Sequence, residues 1–181
     1  MHEVLSLCAQ ATHDSDGWFS IALAGSLDPS RLVKGWAAEA ASQLLYDAGA
    51  HRTCVNGGGD LQLRGQPIPR QAVAHRHRPR AAPRKLATVI TAHGTWPLPP
   101  RAPLNTAPTF STHTTAQPAT TFASLTLIGP RLTLTDTYTT AAFARGNGAQ
   151  NWVETLDGYE ALAVLPDGQE WRTPGFRRYG S

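Results

Sequence analysis

Between positions 37 and 50 the apolar residues fall at 37, 40, 41, 44, 45 and 48, a spacing that gathers them on one face of a helix. The segment is entered through Leu27-Asp28-Pro29-Ser30 and stops at Asp47-Ala48-Gly49, glycine being the residue that turns most readily just past a helix end. Residues 51–55 predict a short strand that runs into Asn56-Gly57-Gly58-Gly59-Asp60. Three consecutive glycines suit a turn in which bare backbone can approach a ligand. Leu61-Gln62-Leu63-Arg64 alternates as a strand does and is stopped by Gly65-Gln66-Pro67. Further on, 86–91 predicts a strand, 123–130 another closed by Gly129-Pro130, and 133–144 a helix that contains Asp136. Residues 159–171 predict a terminal hairpin with its turn at Pro166-Asp167-Gly168. Strands and helices mix without βαβ regularity, so the pattern predicts an α+β fold with a mixed or antiparallel sheet and packed helices.

A chain of 181 residues with 41% hydrophobic content is expected to form one domain around a sizeable core. Residues 67–118 interrupt the pattern. Over 67–84 and 95–118 prolines and arginines accumulate, no periodicity of either kind is visible, and the composition resembles disordered linker. No run of eighteen apolar residues occurs, and no basic segment followed by an apolar one opens the chain. Neither a membrane span nor a secretory signal is therefore expected, and the chain as written reads as cytoplasmic. Cys8 and Cys54 lack CxxC spacing, which fits a reducing compartment or core packing better than a disulfide framework or a zinc site.

The net charge of +3 hides a strong asymmetry. Residues 61–135 carry nine Lys/Arg and no carboxylate, while the remainder carries seven basic against thirteen acidic residues. A long stretch of one sign is either a nucleic-acid face or a sign that the stretch itself is anomalous.

Three constellations could carry chemistry. Asp28 and Lys34, flanking a helix entry, suit a docked phosphate; a capping Asp with a solvated Lys is the alternative. The turn formed by Asn56, Gly57, Gly58, Gly59 and Asp60 either lies against a ligand or is a plain hairpin connection. Asp136 and Thr140, four apart, share a helix face and offer a carboxylate and a hydroxyl to a hard cation such as Mg²⁺; the alternative is an Asp cap with a Thr bonded back to its own helix.

Taken in order, the runs 27–39 (Leu-Asp-Pro-Ser-Arg-Leu-Val-Lys-Gly-Trp-Ala-Ala-Glu), 55–60 (Val-Asn-Gly-Gly-Gly-Asp) and 134–143 (Leu-Thr-Asp-Thr-Tyr-Thr-Thr-Ala-Ala-Phe) resemble the signature segments of the FAD:protein FMN transferases, the ApbE family. Residues 123–130 and the closing Gly-Tyr-Glu-Ala-Leu-Ala-Val resemble its last core strands. The ordered triplet is far more specific than any one member. The resemblance implies an enzyme that splits FAD at its pyrophosphate and, with Mg²⁺, attaches FMN through a phosphoester to a threonine of an acceptor flavoprotein. It implies that Asp28, Lys34, Asn56, Gly58, Gly59 and Asp60 contact FAD. It makes Lys34 and Asp136 the catalytic pair, and the metal ligands the Arg31 carbonyl, Asp136 and Thr140. Where some members carry an acidic residue, Thr139 stands here, which leaves the coordination one carboxylate poorer. Phosphoryl transfer needs positioning and charge neutralisation more than covalent chemistry, and a metal with a lysine supplies both.

The chain also departs from the family. Members carry roughly a further hundred residues before the Asp28 segment, so residues 1–181 read as one partial flavin-transferase domain, incomplete at the N-terminus, with 67–118 as its irregular interior. A Trp-Arg-Ile-Gly-Ile strand, an Ala-Thr-Ser-Gly segment and a Gly-Ala-His-Ile-Leu-Asp-Pro segment with a catalytic His are missing from the written text. Both regions reappear in another frame. Residues 73–78 can be encoded so that dropping one base yields Trp-Arg-Ile-Gly-Ile, and residues 96–114 so that dropping two yields Ala-Ala-Ala-Thr-Ser-Gly and then Gly-Ala-His-Ile-Leu-Asp-Pro. Paired insertions or deletions would thus place residues near 68–84 and 95–117 out of frame, and codons incompatible with these readings would exclude that history. Setting the two segments aside leaves ten basic against thirteen acidic residues, so the basic charge describes the gene more than the partners. Two competing expectations follow: a catalytically dead flavin-binding remnant, and a nucleic-acid-binding module using the basic 64–85 stretch. The second lacks interleaved aromatics and a recognition helix and is not favoured. Full-length relatives are often exported and membrane-anchored.

Overall fold

The computed structural model describes residues 2–23, 26–58, 60–65, 73–77, 88–92, 103–107 and 121–179, with backbone alone for Leu23, Ser26 and the three short stretches between 73 and 107. The chain opens with helix α1 (His2–Asp14), which the pattern reading passed over although Val4, Leu7, Cys8 and Ala11 keep helical spacing and are all buried. A two-residue ladder, β1 (Ala22–Leu23) with β2 (Ser26–Leu27), leads to helix α2 (Ser30–Asp47). Strands β3 (Thr53–Gly57) and β4 (Asp60–Arg64) form a hairpin, and β5 (Val73–His77) pairs with β6 (Thr88–Ala92) in a separate ladder. Then come β7 (Pro103–Ala107), β8 (Ser124–Ile128), helix α3 (Leu132–Arg145), the short α4 (Ala149–Val153), β9 (Glu160–Val164) and β10 (Glu170–Arg172).

The main sheet has the order β10-β9-β8-β7-β4-β3 and every neighbouring pair is antiparallel. The expected α+β class with packed helices holds, and the sheet is antiparallel. Two strands arise where linker was expected: β5, and β7, which lies between β4 and β8. Backbone pairing, which needs no side-chain periodicity, is what recruits them. Apart from β6, the remaining residues of 67–118 lie outside the described residues. The predicted strands at 51–55 and 86–91 each start two residues further along, at β3 and β6, and the predicted hairpin of 159–171 is β9–β10.

Helix α2 starts seven residues earlier than its apolar pattern does, and its buried side is another one. Leu32, Gly35, Ala38 and Ser42 are buried, while Ala37, Leu44, Leu45 and Ala48 are exposed. Small residues win that face because α2 packs tightly on α3: a Cβ at Gly35 would stand 3.1 Å from the Leu132 carbonyl oxygen and 3.2 Å from the Thr133 Cα. Leucines could not come so close.

The sheet's two faces follow the strand alternation. Leu125, Leu127, Ala161 and Ala163 join Val4, Leu7, Cys8, Phe19, Leu32, Tyr138, Phe143, Trp152 and Val153 under the helices. Leu61, Leu63, Ile128 and Leu162 meet Phe176 and Tyr179 on the opposite face. Cys8 packs in the core as expected, whereas Cys54 lies exposed on β3. Among the described residues no helix is long and apolar enough to cross a membrane.

Helix α3 is buried from Leu132 to Ala144, polar residues included. Its threonines satisfy themselves locally: Thr135, Thr137 and Thr139 donate to the carbonyls of Arg131, Thr133 and Thr135 at 2.8, 2.7 and 2.6 Å. A buried hydroxyl paired in this way escapes most of the desolvation cost. Tyr138 ties α3 to α1 by donating its phenol to Asp14 Oδ2 at 2.6 Å. Part-burial pushes the Asp14 carboxyl up, but the bonds from Tyr138 and its neighbours outweigh it and hold the carboxyl below the usual range. A lowered folded-state value stabilises above the unfolded one and the gain is lost as pH falls through it. Tyr138→Phe should therefore cost about 1–2 kcal/mol in denaturant titrations at pH 7, with the gap narrowing below pH ~4.

Candidate active site

The β3–β4 hairpin turns at Gly57, opposite Asp60 in register, with Gly58 in the left-handed region at φ +69°. A Cβ on Gly57 would stand 3.2 Å from the Ala38 Cβ, so the glycine lets the hairpin reach α2. Along β4, Asp60 and Arg64 are directed toward α2: Arg64 donates to Ser42 Oγ and Gln43 Oε1 and lies over the Tyr46 ring. Leu61 and Leu63 face the other way. Arg64 is buried, so this member of the basic 64–85 stretch belongs to the protein interior and is not a phosphate contact on a nucleic-acid face. The stretch's other basic residues have no described side chain.

Where α2, β4 and α3 meet, one ammonium stands between two carboxylates. Lys34 Nζ pairs with Asp60 Oδ2 and lies 3.7 Å from Asp136 Oδ1. The Asp60 and Asp136 side chains are 1% and 3% exposed, that of Lys34 40%. Half-burial alone would depress the lysine, but Asp136 and Asp60 outweigh it and hold the ammonium above its usual value. Asp60 has lost nearly all hydration and shares its cation, so burial pushes its carboxyl up against the pull of Lys34.

The signs of these shifts define a test. A raised lysine stabilises below its unfolded value near pH ~10.4 and loses that gain as pH climbs through the folded one. A raised aspartate contributes fully below about pH 4 and loses that contribution as pH rises. Removing the ammonium pushes Asp60 further in the same direction. Lys34→Met is therefore expected to cost about 1–3 kcal/mol at pH 8, the exposed end of the lysine keeping it below a fully buried pair, and little near pH 4. Urea titrations of both proteins across that range measure it, and a cost independent of pH would contradict the ion-pair account.

The other predicted residues take these places. Asp28 precedes α2 and is bonded by the Ser30 side chain and by the Ser30 N–H at 3.0 Å, which lower its carboxyl; Pro29 holds the N-cap position of α2, with no side-chain capping bond. Arg31 lies in the first turn of α2, half-buried. Asn56 is exposed on β3. Gly58 lies beside Lys34, a Cβ there standing 3.9 Å from the lysine Cδ, and Gly59 lies outside the described residues. Thr140 is buried and donates to the Asp136 carbonyl at 3.2 Å, the threonine half of its alternative, while Asp136 lies inside α3 and is no cap; a hydroxyl that donates keeps lone pairs to offer. Among the described residues no three His, Cys, Asp or Glu side chains gather closely enough to hold a metal.

Pattern reading missed Glu39. Its carboxylate accepts the Thr133 N–H at 3.0 Å, the Thr133 hydroxyl at 2.6 Å and the Arg131 Nε–H at 3.1 Å. The signal that could have found it was its place as the last residue of the run 27–39, on a helix already read as carrying the site.

No family model matches the chain, and a comparison with curated proteins finds no match. Solved structures do match. A mutant form of the flavin transferase ApbE from Vibrio cholerae superposes with a TM-score of 0.77 at 15% identity, over 98% of this chain and 74% of that one. The flavinyl transferase ApbE from Pseudomonas stutzeri, in its apo form, gives 0.74 at 16% identity over 99% and 74%. The ApbE protein from Thermotoga maritima gives 0.69 at 21% identity, over 86% of this chain and 54% of its own. The chain therefore has the ApbE fold, and the family resemblance read from its segments is matched at the level of fold.

Proposed function

We propose that this chain is a flavin transferase, moving FMN from FAD to a threonine hydroxyl of an acceptor flavoprotein with Mg²⁺. One observation carries the reading. Three segments that separately resemble the ApbE signatures supply Lys34, Asp60 and Asp136, and the fold brings these residues into one ion-paired cluster. Nothing in the pairing of a generic core demands that convergence.

In the proposed reaction the threonine oxygen forms a new bond to the phosphorus on the FMN side of the pyrophosphate. The bond to the bridging oxygen breaks, AMP leaves with the electron pair, and the hydroxyl proton is released. Negative charge grows on the phosphoryl oxygens, and Lys34, reaching solvent from between two carboxylates, is placed to offset it. Asp60 holds the lysine by its ion pair. The oxygen donors fit a hard cation: a nearly buried Asp136 carboxylate, the Thr140 hydroxyl on the same helix, and the Arg31 carbonyl in the first turn of α2. When bound, Mg²⁺ would neutralise the pyrophosphate.

The test is incubation of the purified chain with FAD, Mg²⁺ and an acceptor flavoprotein, reading AMP release and flavin fluorescence that survives denaturation on the acceptor. Both should appear and both should vanish on chelation. FAD binding without transfer would identify the remnant instead, in keeping with the missing His segment. Salt-sensitive DNA binding without flavin would overturn the proposal in favour of the nucleic-acid module.

A further inference from the structure

We infer that Glu39 is a positioning residue: a half-buried carboxylate that locks the start of α3 onto α2 and so sets the distance between Lys34 and Asp136. The inference rests on the flavin-transfer reading of that cluster.

Lys34 and Glu39 are five residues apart on α2, and Thr133 and Asp136 three apart on α3. At the Lys34 end the helices touch through Gly35, where a Cβ would be 3.2 Å from the Asp136 Cβ. At the other end the carboxylate of Glu39, 18% exposed, takes one N–H and one O–H from Thr133 and one N–H from Arg131. The first N–H groups of a helix have no partner within it, and an anion there also meets the positive end of the helix dipole. Glu39 thus supplies from across the interface the cap that α3 lacks locally, since Arg131 at its N-cap position makes no side-chain capping bond. Burial alone would raise this carboxyl, but Thr133 and Arg131 outweigh it and hold it below the usual glutamate range. The latch is therefore charged across the neutral pH range. The Gly35 contact, at Leu132, Thr133 and Asp136, and the Glu39 contact, at Arg131 and Thr133, together fix the start of α3 against α2 and limit its sliding past Lys34.

Glu39 also lines an open cleft of about 410 Å³ with Trp36, Gln43, Arg64 and Arg131. A truncated side chain there is replaced by water, so Glu39→Ala removes the hydrogen bonds without leaving a dry void.

The experiment compares Glu39→Ala and Glu39→Gln with the parent and with Val153→Ala, a fully buried core change on α4 that sets the scale for a purely structural loss. Transfer is measured well below all melting temperatures. Glu39→Ala is expected to lower kcat at saturating FAD at least tenfold with KM for FAD within threefold. Glu39→Gln, which keeps an oxygen for Thr133, should recover part of it, and Val153→Ala should turn over like the parent. A Glu39→Ala rate equal to that of Val153→Ala overturns the inference. If the parent transfers no flavin, the functional reading fails, and amide spectra decide the latch alone. Shifts at Thr133 and at Lys34, Asp60 and Asp136 in Glu39→Ala, absent in Val153→Ala, support it; their absence overturns it.

Discussion

Asp136→Asn is expected to lower flavin transfer by about a hundredfold or more while leaving α3 folded. The substitution keeps the shape of the side chain and removes only its charge. Lys34 retains Asp60 as its ion-pair partner, so the cluster does not fall apart. What is lost is the one anionic oxygen donor on α3, and a neutral amide is a poor substitute when a hard cation must be held against a pyrophosphate. Initial rates of AMP release at saturating FAD, taken over a range of Mg²⁺ concentrations, measure the effect, with circular dichroism melting as the control for folding. Raising Mg²⁺ should return part of the lost rate. A decrease smaller than tenfold at every Mg²⁺ concentration would remove Asp136 from the mechanism.

Gly35→Ala should cost about 1–3 kcal/mol of stability and also reduce transfer more than tenfold. In an exposed helix the same change would stabilise by about 1 kcal/mol, because alanine is the better helix former. Here the new methyl meets the Leu132 carbonyl at 3.1 Å and the Thr133 Cα and Asp136 Cβ at 3.2 Å. Two of these three are backbone atoms, which no rotamer change can move aside. Helix α3 is buried along its length and has nowhere to withdraw, so the strain falls on the interface that sets the Lys34–Asp136 spacing. Thermal melts and single-turnover rates of the same preparation separate the two effects. A melting temperature at or above the parent's would show that the interface yields, and the packing argument would be wrong.

The α+β class and the three residues of the candidate cluster were legible one by one; the pairing among those residues was not. Lys34, Asp60 and Asp136 each sit in a short run whose chemistry is local, a helix entry, a glycine turn, and a carboxylate one turn before a hydroxyl, so their types and spacing survive in one dimension. The packing of α2 was not legible, because its buried side sets Gly35, Ala38 and Ser42 beside Leu32 while Leu44 and Leu45 face outward; close helix contact selects for small size, which hydrophobic periodicity does not record. Burial of α3 was hidden for a related reason. Five of its residues are threonines whose hydroxyls find partners on or beside the helix, which makes a polar sequence compatible with a dry surrounding. The role of Glu39 was not legible because its partners lie more than ninety residues away. Strand β7 was missed because its place is decided by the strands on either side.

That placement has a consequence for how the molecule is assembled in time. Among the described strands, β7 alone hydrogen-bonds the β3–β4 hairpin to β8, β9 and β10. The hairpins and α2 against β3 are short-range contacts and can form early, each on its own. Docking β7 must close a loop of some forty residues back to β4, as its pairing of Leu104 with Leu61 requires, and loop closure of that kind is slow relative to hairpin formation. Lys34 and Asp60 lie on one side of this seam and Asp136 on the other. The cluster therefore draws its residues from both halves and is complete only once they have met, through β7 in the sheet and through α2 against α3.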